Sequence, residues 1–216
     1  EFHCKKYCFS KSTSFESIHI TSEKIVIDDF GFSGCSSLNS ISFINAKEVT
    51  LGENAFEFCN KLRFFVAEPS IKFFAGRNCL SNLKALYLAQ IAGDIITIDS
   101  FCFSGCNILD SISILKAKKV ILKEKAIENC SILENIDIVA DESLELSESS
   151  ISNMKKLKIF TVTSPEIKIL SHCFDNCRSL EKVDCKTTNT IICPKNKLNR
   201  IGLNKFNYEP TTHFNI

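Results

Sequence analysis

The residues of this chain best equipped for chemistry are its 12 cysteines and 4 histidines. Cysteine thiolate and neutral imidazole are the usual ligands of zinc and common partners in nucleophilic catalysis. They come close together as Cys102 with Cys106, and as Cys173 with Cys177 beside His172. The spacing is C-x-x-x-C in both, but a repeat already demands the second cysteine of each pair, so neither pair is assigned to a metal. His3, His19, His172 and His213 stand apart from any Ser, Cys or acid at a spacing that implies catalysis. No G-x-S-x-G, H-E-x-x-H or phosphate-binding loop occurs among the 7 glycines. The reading is therefore no enzyme, no metal and no cofactor. Asn129-Cys-Ser131 has the form of a glycosylation sequon, but it overlaps a column expected to be buried and reads as chance.

What positions the cysteines is a repeat. Phe32-Ser-Gly-Cys35-Ser-Ser-Leu38-Asn-Ser-Ile41-Ser-Phe43 returns 71 residues later as Phe103-Ser-Gly-Cys106-Asn-Ile-Leu109-Asp-Ser-Ile112-Ser-Ile114, and residues 32–51 and 103–122 share twelve of twenty positions. A looser form, F-x-x-C-x-x-L-x-x-I-x-I, places eight coils starting at Phe9, Phe32, Phe56, Arg77, Phe103, Ile127, Ile151 and Phe174. A regular repeat of 21–26 residues is the signature of a solenoid. Coils without the cysteine come every third time, at Ser12, Leu80 and Met154. That rhythm indicates a duplicated unit of three coils.

Within each coil the I-x-I step has the period of a strand with one face inward. Examples are Ile41/Phe43, Phe65/Ala67 and Leu86/Leu88. A second alternating pair follows a short connection, as in Ile25/Ile27, Val49/Leu51 and Ile71/Phe73. The F-x-x-C-x-x-L step has period three, which suits a helical turn. The expected architecture is an α/β leucine-rich repeat solenoid of about eight coils of 23–24 residues. One face is a parallel β-sheet; the other carries short strands and helical turns. One coil cannot bury its own apolar side, so stacking creates the core, and five cysteines (Cys35, Cys59, Cys106, Cys130, Cys177) behave there as small hydrophobes with free thiols. Residues 1–8 read as the remnant of a preceding coil, 9–188 as the solenoid and 189–216 as a cap and tail. In the last segment Asn189–Pro194 is a final strand closed by proline, Lys195 to Leu203 a short capping helix and Asn204 to Ile216 a tail.

This series, with a second strand before a small residue and Phe (Asn54-Ala55-Phe56), resembles the BspA-like leucine-rich repeats, and Thr190-Ile-Ile-Cys-Pro194-Lys195 is similar to a closing strand of that family. The resemblance implies adhesion or ligand binding at a cell surface, without enzymatic activity. Arg77, Leu80 and Met154 depart from the pattern.

A formal charge of +1 provides no global field for nucleic acid or an anionic membrane. No apolar run approaches a membrane span. The basic stretch from Lys186 to Lys205 reads as a solvated end cap. What remains is the outward side of the main strands. Most coils present Ser, Thr, Asp or Lys there, whereas coils three and four present Phe64, Val66, Ala85 and Tyr87. Clustered outward apolar and aromatic residues suit a docking face for a protein or glycan ligand. The alternative is an intracellular scaffold or adaptor holding a cytoplasmic partner, which a thiol-rich core would suit.

Overall fold

The structure, a computed structural model, describes residues 1–187, 189–193, 206–208 and 213–215. Alternation of apolar and polar residues dictates strands, and the chain winds them into a parallel β-solenoid with two ladders. The main ladder stacks β2 (Ser17–Thr21), β4 (Ser40–Ile44), β6 (Phe64–Ala67), β8 (Leu88–Ala92), the first halves of β10 (Ser111–Leu122) and β11 (Asn135–Leu146), β12 (Ile159–Thr163), β14 (Lys182–Lys186) and β16 (Phe206–Tyr208). The second ladder stacks β1 (Phe2–Cys4), β3 (Lys24–Ile27), β5 (Glu48–Leu51), β7 (Lys72–Ala75), β9 (Ile95–Ile98), the second halves of β10 and β11, β13 (Glu166–Ile169), β15 (Thr190–Ile192) and β17 (His213–Asn215). Pairing is parallel, coil on next coil, with Ile41 opposite Phe65 and Val49 opposite Phe73.

Inward positions fill one continuous core. Phe9 stacks on Phe32 at 5.1 Å between ring centroids, and Phe32 on Phe56 at 5.5 Å. Phe65 meets Phe56 and Phe73 edge-on, tying the turn column to both sheets. At the N-terminal end Phe2, Phe9, Phe15 and Ile18 are only partly buried, unlike their counterparts in later coils.

The expected helical turns are absent: no residue among those described is helical. Each of these turn segments holds two residues with positive φ. One column, two residues before the repeat's first position, holds Tyr7, Phe30, Asn54, Asn78, Phe101, Lys125, Ser149 and His172. The other, two residues after it, holds Lys11, Gly34, Phe58, Asn82, Gly105, Asn129, Asn153 and Asn176. A right-handed helix cannot run through left-handed residues. Each segment is instead a string of single turns, such as Ser33 N–H to the Phe30 carbonyl (3.1 Å) and Cys35 N–H to Phe32 (3.2 Å). The intervening amides, which a helix would use internally, bond to the next coil: Phe32 N–H to Ala55 (2.9 Å) and Gly34 N–H to Glu57 (2.7 Å).

Coil four also departs from the sequence expectation. Phe56 N–H bonds to the Cys79 carbonyl and Leu80 N–H to that of Cys102, so Leu80, not Arg77, takes the first position. Leu83 and Leu86 then take the next two columns, and the inward strand residues are Ala89 and Ile91 rather than Leu86 and Leu88. In coil three the second strand turns Phe73 and Ala75 inward, leaving Ile71 exposed rather than buried. With these corrections every coil is 23 or 24 residues long. The cause is degeneracy: leucines at 80, 83 and 86 fit the period-three step in more than one register, and only the bonds between coils choose.

The C-terminal stretch differs as well. Thr190–Ile192 is not the last strand and 204–216 is not simply a tail, because Phe206–Tyr208 pairs with β14 and His213–Asn215 with β15. The alternation Phe206-x-Tyr208 continues the main-ladder pattern in register with Val183 and Cys185. The capping helix expected over Lys195 to Leu203 lies outside the described residues.

Candidate functional site on the outer face of the main sheet

The strands that bury Phe65, Ala67, Ala89 and Ile91 necessarily turn Phe64, Val66, Leu88 and Gln90 outward. Phe64 is directly opposite Leu88 and Val66 opposite Gln90. Phe64 remains 37% exposed, and the Arg63 guanidinium lies 5.4 Å from its ring centroid. Gln90 Nε2 donates to the Glu68 carboxylate at the edge of the patch. Tyr87, 41% exposed, immediately precedes β8. Its backbone is fixed on both sides: its N–H donates to the Arg63 carbonyl (3.0 Å), and its carbonyl accepts from Asp110 (3.0 Å) and Ser111 (3.3 Å). Asp110 also bonds the Tyr87 phenol, whose pKa is raised by that bond and by the carboxylate's charge.

Of the four residues expected from sequence, the structure thus brings Phe64, Val66 and Tyr87 onto one surface. Ala85 falls instead in the turn before β8 and is half-buried. Leu88 takes the place assigned to it, a residue the sequence reading had turned inward through the register error of coil four. The island is two coils wide. Serines border it on both sides, Ser40 opposite Phe64 and Ser111 opposite Leu88.

Beyond Ser40 lies a polar cluster. His19 Nδ1 is 2.5 Å from Ser42 Oγ and its Nε2 is 3.3 Å from Ser17 Oγ, while the Ser17 and Ser40 hydroxyls are 2.8 Å apart. A serine beside an imidazole is the start of a nucleophile and base pair. Here both ring nitrogens face serines, so no carboxylate orients the ring and the arrangement is a hydrogen-bonded ladder. The second sheet carries a shallow groove of about 410 Å³ lined by Lys119, Ile121, Glu145, Lys168 and Ile192, which sequence reasoning did not single out. Its signal was present in the outward positions of the second strands.

The cysteines are placed for packing. All 12 are free thiols, and only Cys8 is exposed. Burial pushes the Cys106 and Cys173 thiols up to about 12 and that of Cys177 up to about 11, away from the thiolate a metal or nucleophile requires. Among the described residues no group of three or more His, Cys, Asp or Glu is arranged to hold a metal ion, and no helix is long and apolar enough to cross a membrane.

The sequence profile of the BspA type leucine rich repeat region matches in 6 copies, over residues 3–121, 74–196 and 122–216. The chain belongs to the BspA-type leucine-rich repeat family. A BspA-type repeat protein is thus built here as two parallel ladders joined by strings of turns. No curated protein sequence matches the chain. The crystal structure of pneumococcal vaccine antigen PcpA aligns over 99% of this BspA-type chain and 84% of its own, at 11% identity and a TM-score of 0.38.

Proposed function

We propose that the chain is a non-enzymatic recognition module that binds a protein or glycan ligand at a cell surface, through the outer face of its main sheet. The observation that carries this reading is the island formed by Phe64, Val66, Tyr87 and Leu88. Two large aromatic side chains stay exposed, Phe64 on β6 and Tyr87 just before β8, beside a guanidinium and within serine borders. Aromatic residues held by a fixed backbone lose little entropy on binding and make effective anchors. BspA-type repeats are typical of surface proteins and repeat solenoids of this kind generally bind partners, which supports the assignment of class and place.

The test is binding of the purified chain to panels of surface proteins and glycans, compared with the Phe64→Ser/Tyr87→Ser variant. Completing the burial of one such side chain is worth on the order of 1.5–3 kcal/mol, so the double variant loses at least tenfold in affinity with its melting temperature nearly unchanged. A variant that folds and still binds normally places the working surface elsewhere. An intracellular adaptor is the second reading, favoured by a core holding many free thiols. Locating the tagged chain in its own cells separates the two.

A further inference from the structure

We propose that Asn129 is an acceptor site for an N-linked glycan. The sequence Asn129-Cys130-Ser131 satisfies the N-x-S/T requirement, with no proline at the middle position. Its overlap with the cysteine column argued against use, yet only Cys130 lies in that column. Asn129 is exposed at the turn edge, in the left-handed conformation (φ 58) that asparagine tolerates better than most residues. Ser131 is half-buried, and its hydroxyl donates outward to Asn107 Oδ1 at 2.7 Å.

The neighbouring coils make the site distinct. In the same column, Asn176 Nδ2 donates to Asn153 Oδ1 (2.8 Å), and Asn153 Nδ2 donates to Glu128 Oε1 (2.7 Å). Those amides are tied into a ladder, whereas the Asn129 amide has no side-chain hydrogen bond among the described residues. On the other side the column position is Gly105, which has no side-chain amide to pair with Asn129; the Asn82 side chain fills the space where its Cβ would stand. Cys130 is held away from the surface, its thiol donating to the Phe103 carbonyl at 3.3 Å.

In the transfer step the Asn129 Nδ2 attacks C1 of a lipid-pyrophosphate-linked oligosaccharide. The new N–C bond forms as the C1–O bond to the pyrophosphate breaks, and the amide loses one proton. The transferase acts on chain that has not yet folded, so burial of Cys130 in the finished coil does not obstruct it. After folding the glycan stands on the string-of-turns side of the solenoid and leaves the outer face of the main sheet clear. The proposal rests on the surface reading to the extent that the chain must pass through a secretory lumen, and the experiment supplies that lumen.

The chain is expressed with a signal peptide in a eukaryotic secretory host and treated with peptide N-glycosidase. The expected result is a mobility shift of one glycan, with conversion of Asn129 to Asp by mass spectrometry. The shift is lost in Asn129→Gln and in Ser131→Ala and kept in Ser131→Thr. Secreted chain with bare Asn129 overturns the site while leaving the sheet-face reading untouched. A shift that survives in both Asn129→Gln and Ser131→Ala overturns it equally.

Discussion

The Sγ of Cys106 donates to the main-chain carbonyl of Leu80, in the preceding coil, at 3.1 Å. The same bond joins Cys35 to Phe9, Cys59 to Phe32, Cys130 to Phe103 and Cys177 to Ile151, at 3.1–3.3 Å. The acceptor is in each case the first position of the coil before. That carbonyl often already accepts a turn bond, as Phe32 does from Cys35 N–H. The thiol occupies its second lone pair, which valine or alanine of similar size would leave empty. A small hydrophobe with one weak donor is what this column requires.

These thiols make stability depend on pH. Burial raises Cys106, Cys173 and Cys185 from the ordinary 9.0 to about 12. Above pH 9 the unfolded chain loses these protons and the folded chain keeps them, so the stabilisation present below pH 9 is lost as pH rises towards 12. Each such thiol costs about 1.4 kcal/mol per pH unit in that window. Urea midpoints measured from pH 8 to 10.5 should fall steeply, and less steeply in Cys106→Val. A flat profile would show that the thiols titrate freely in the folded chain.

The register of coil four is open to direct test. Leu86 is buried in the column of Leu62 and Leu109, so Leu86→Ala should cost about 2–5 kcal/mol. Arg77 is exposed, with its guanidinium 5.1 Å from the Phe101 ring, so Arg77→Ala should cost less than about 1 kcal/mol. Chemical denaturation of both variants decides it; a larger loss at Arg77 would restore that residue to the start of the coil.

Phe58 has a φ of 61° and is 62% exposed, in a column where other coils carry mostly Asn or Gly. A bulky side chain is strained in that conformation by roughly 1–2 kcal/mol relative to glycine. Phe58→Asn should therefore raise the melting temperature by a few degrees. A fall would mean that the ring contributes packing which outweighs the strain.

Much of this architecture was legible because the columns repeat. Phe32, Cys35, Leu38, Ile41 and Phe43 each recur at the same step, and strand alternation with one buried face follows from period two. Coil four was not legible from its own residues, since its leucines fit the motif in registers three residues apart. The deciding signal lay in the longer period: 71 residues beyond Phe9 is Leu80, as 71 beyond Phe32 is Phe103. The turn segments misled because period three is common to a helical turn and to successive single turns. The asparagines at 54, 78, 82, 129, 153 and 176 were the available hint of left-handed backbone. Phe64 and Val66 were read correctly from alternation, whereas Leu88 was hidden by the register and replaced by Ala85.

The amide bonds that join each coil to the next run along the axis of the stack. A load applied between the two ends therefore peels one coil from its neighbour, breaking the bonds of that one junction, in both ladders and in the turns. Coils lie about 4.8 Å apart when stacked, while a detached coil of 23 or 24 residues extends to about 80 Å. Each yielding event thus exchanges a short spacing for a long one, and the remaining coils stay wound. Under tension the molecule is a ratcheted spring, lengthening in nearly equal steps set by the repeat, and single-molecule extension traces would show those steps as a regular sawtooth.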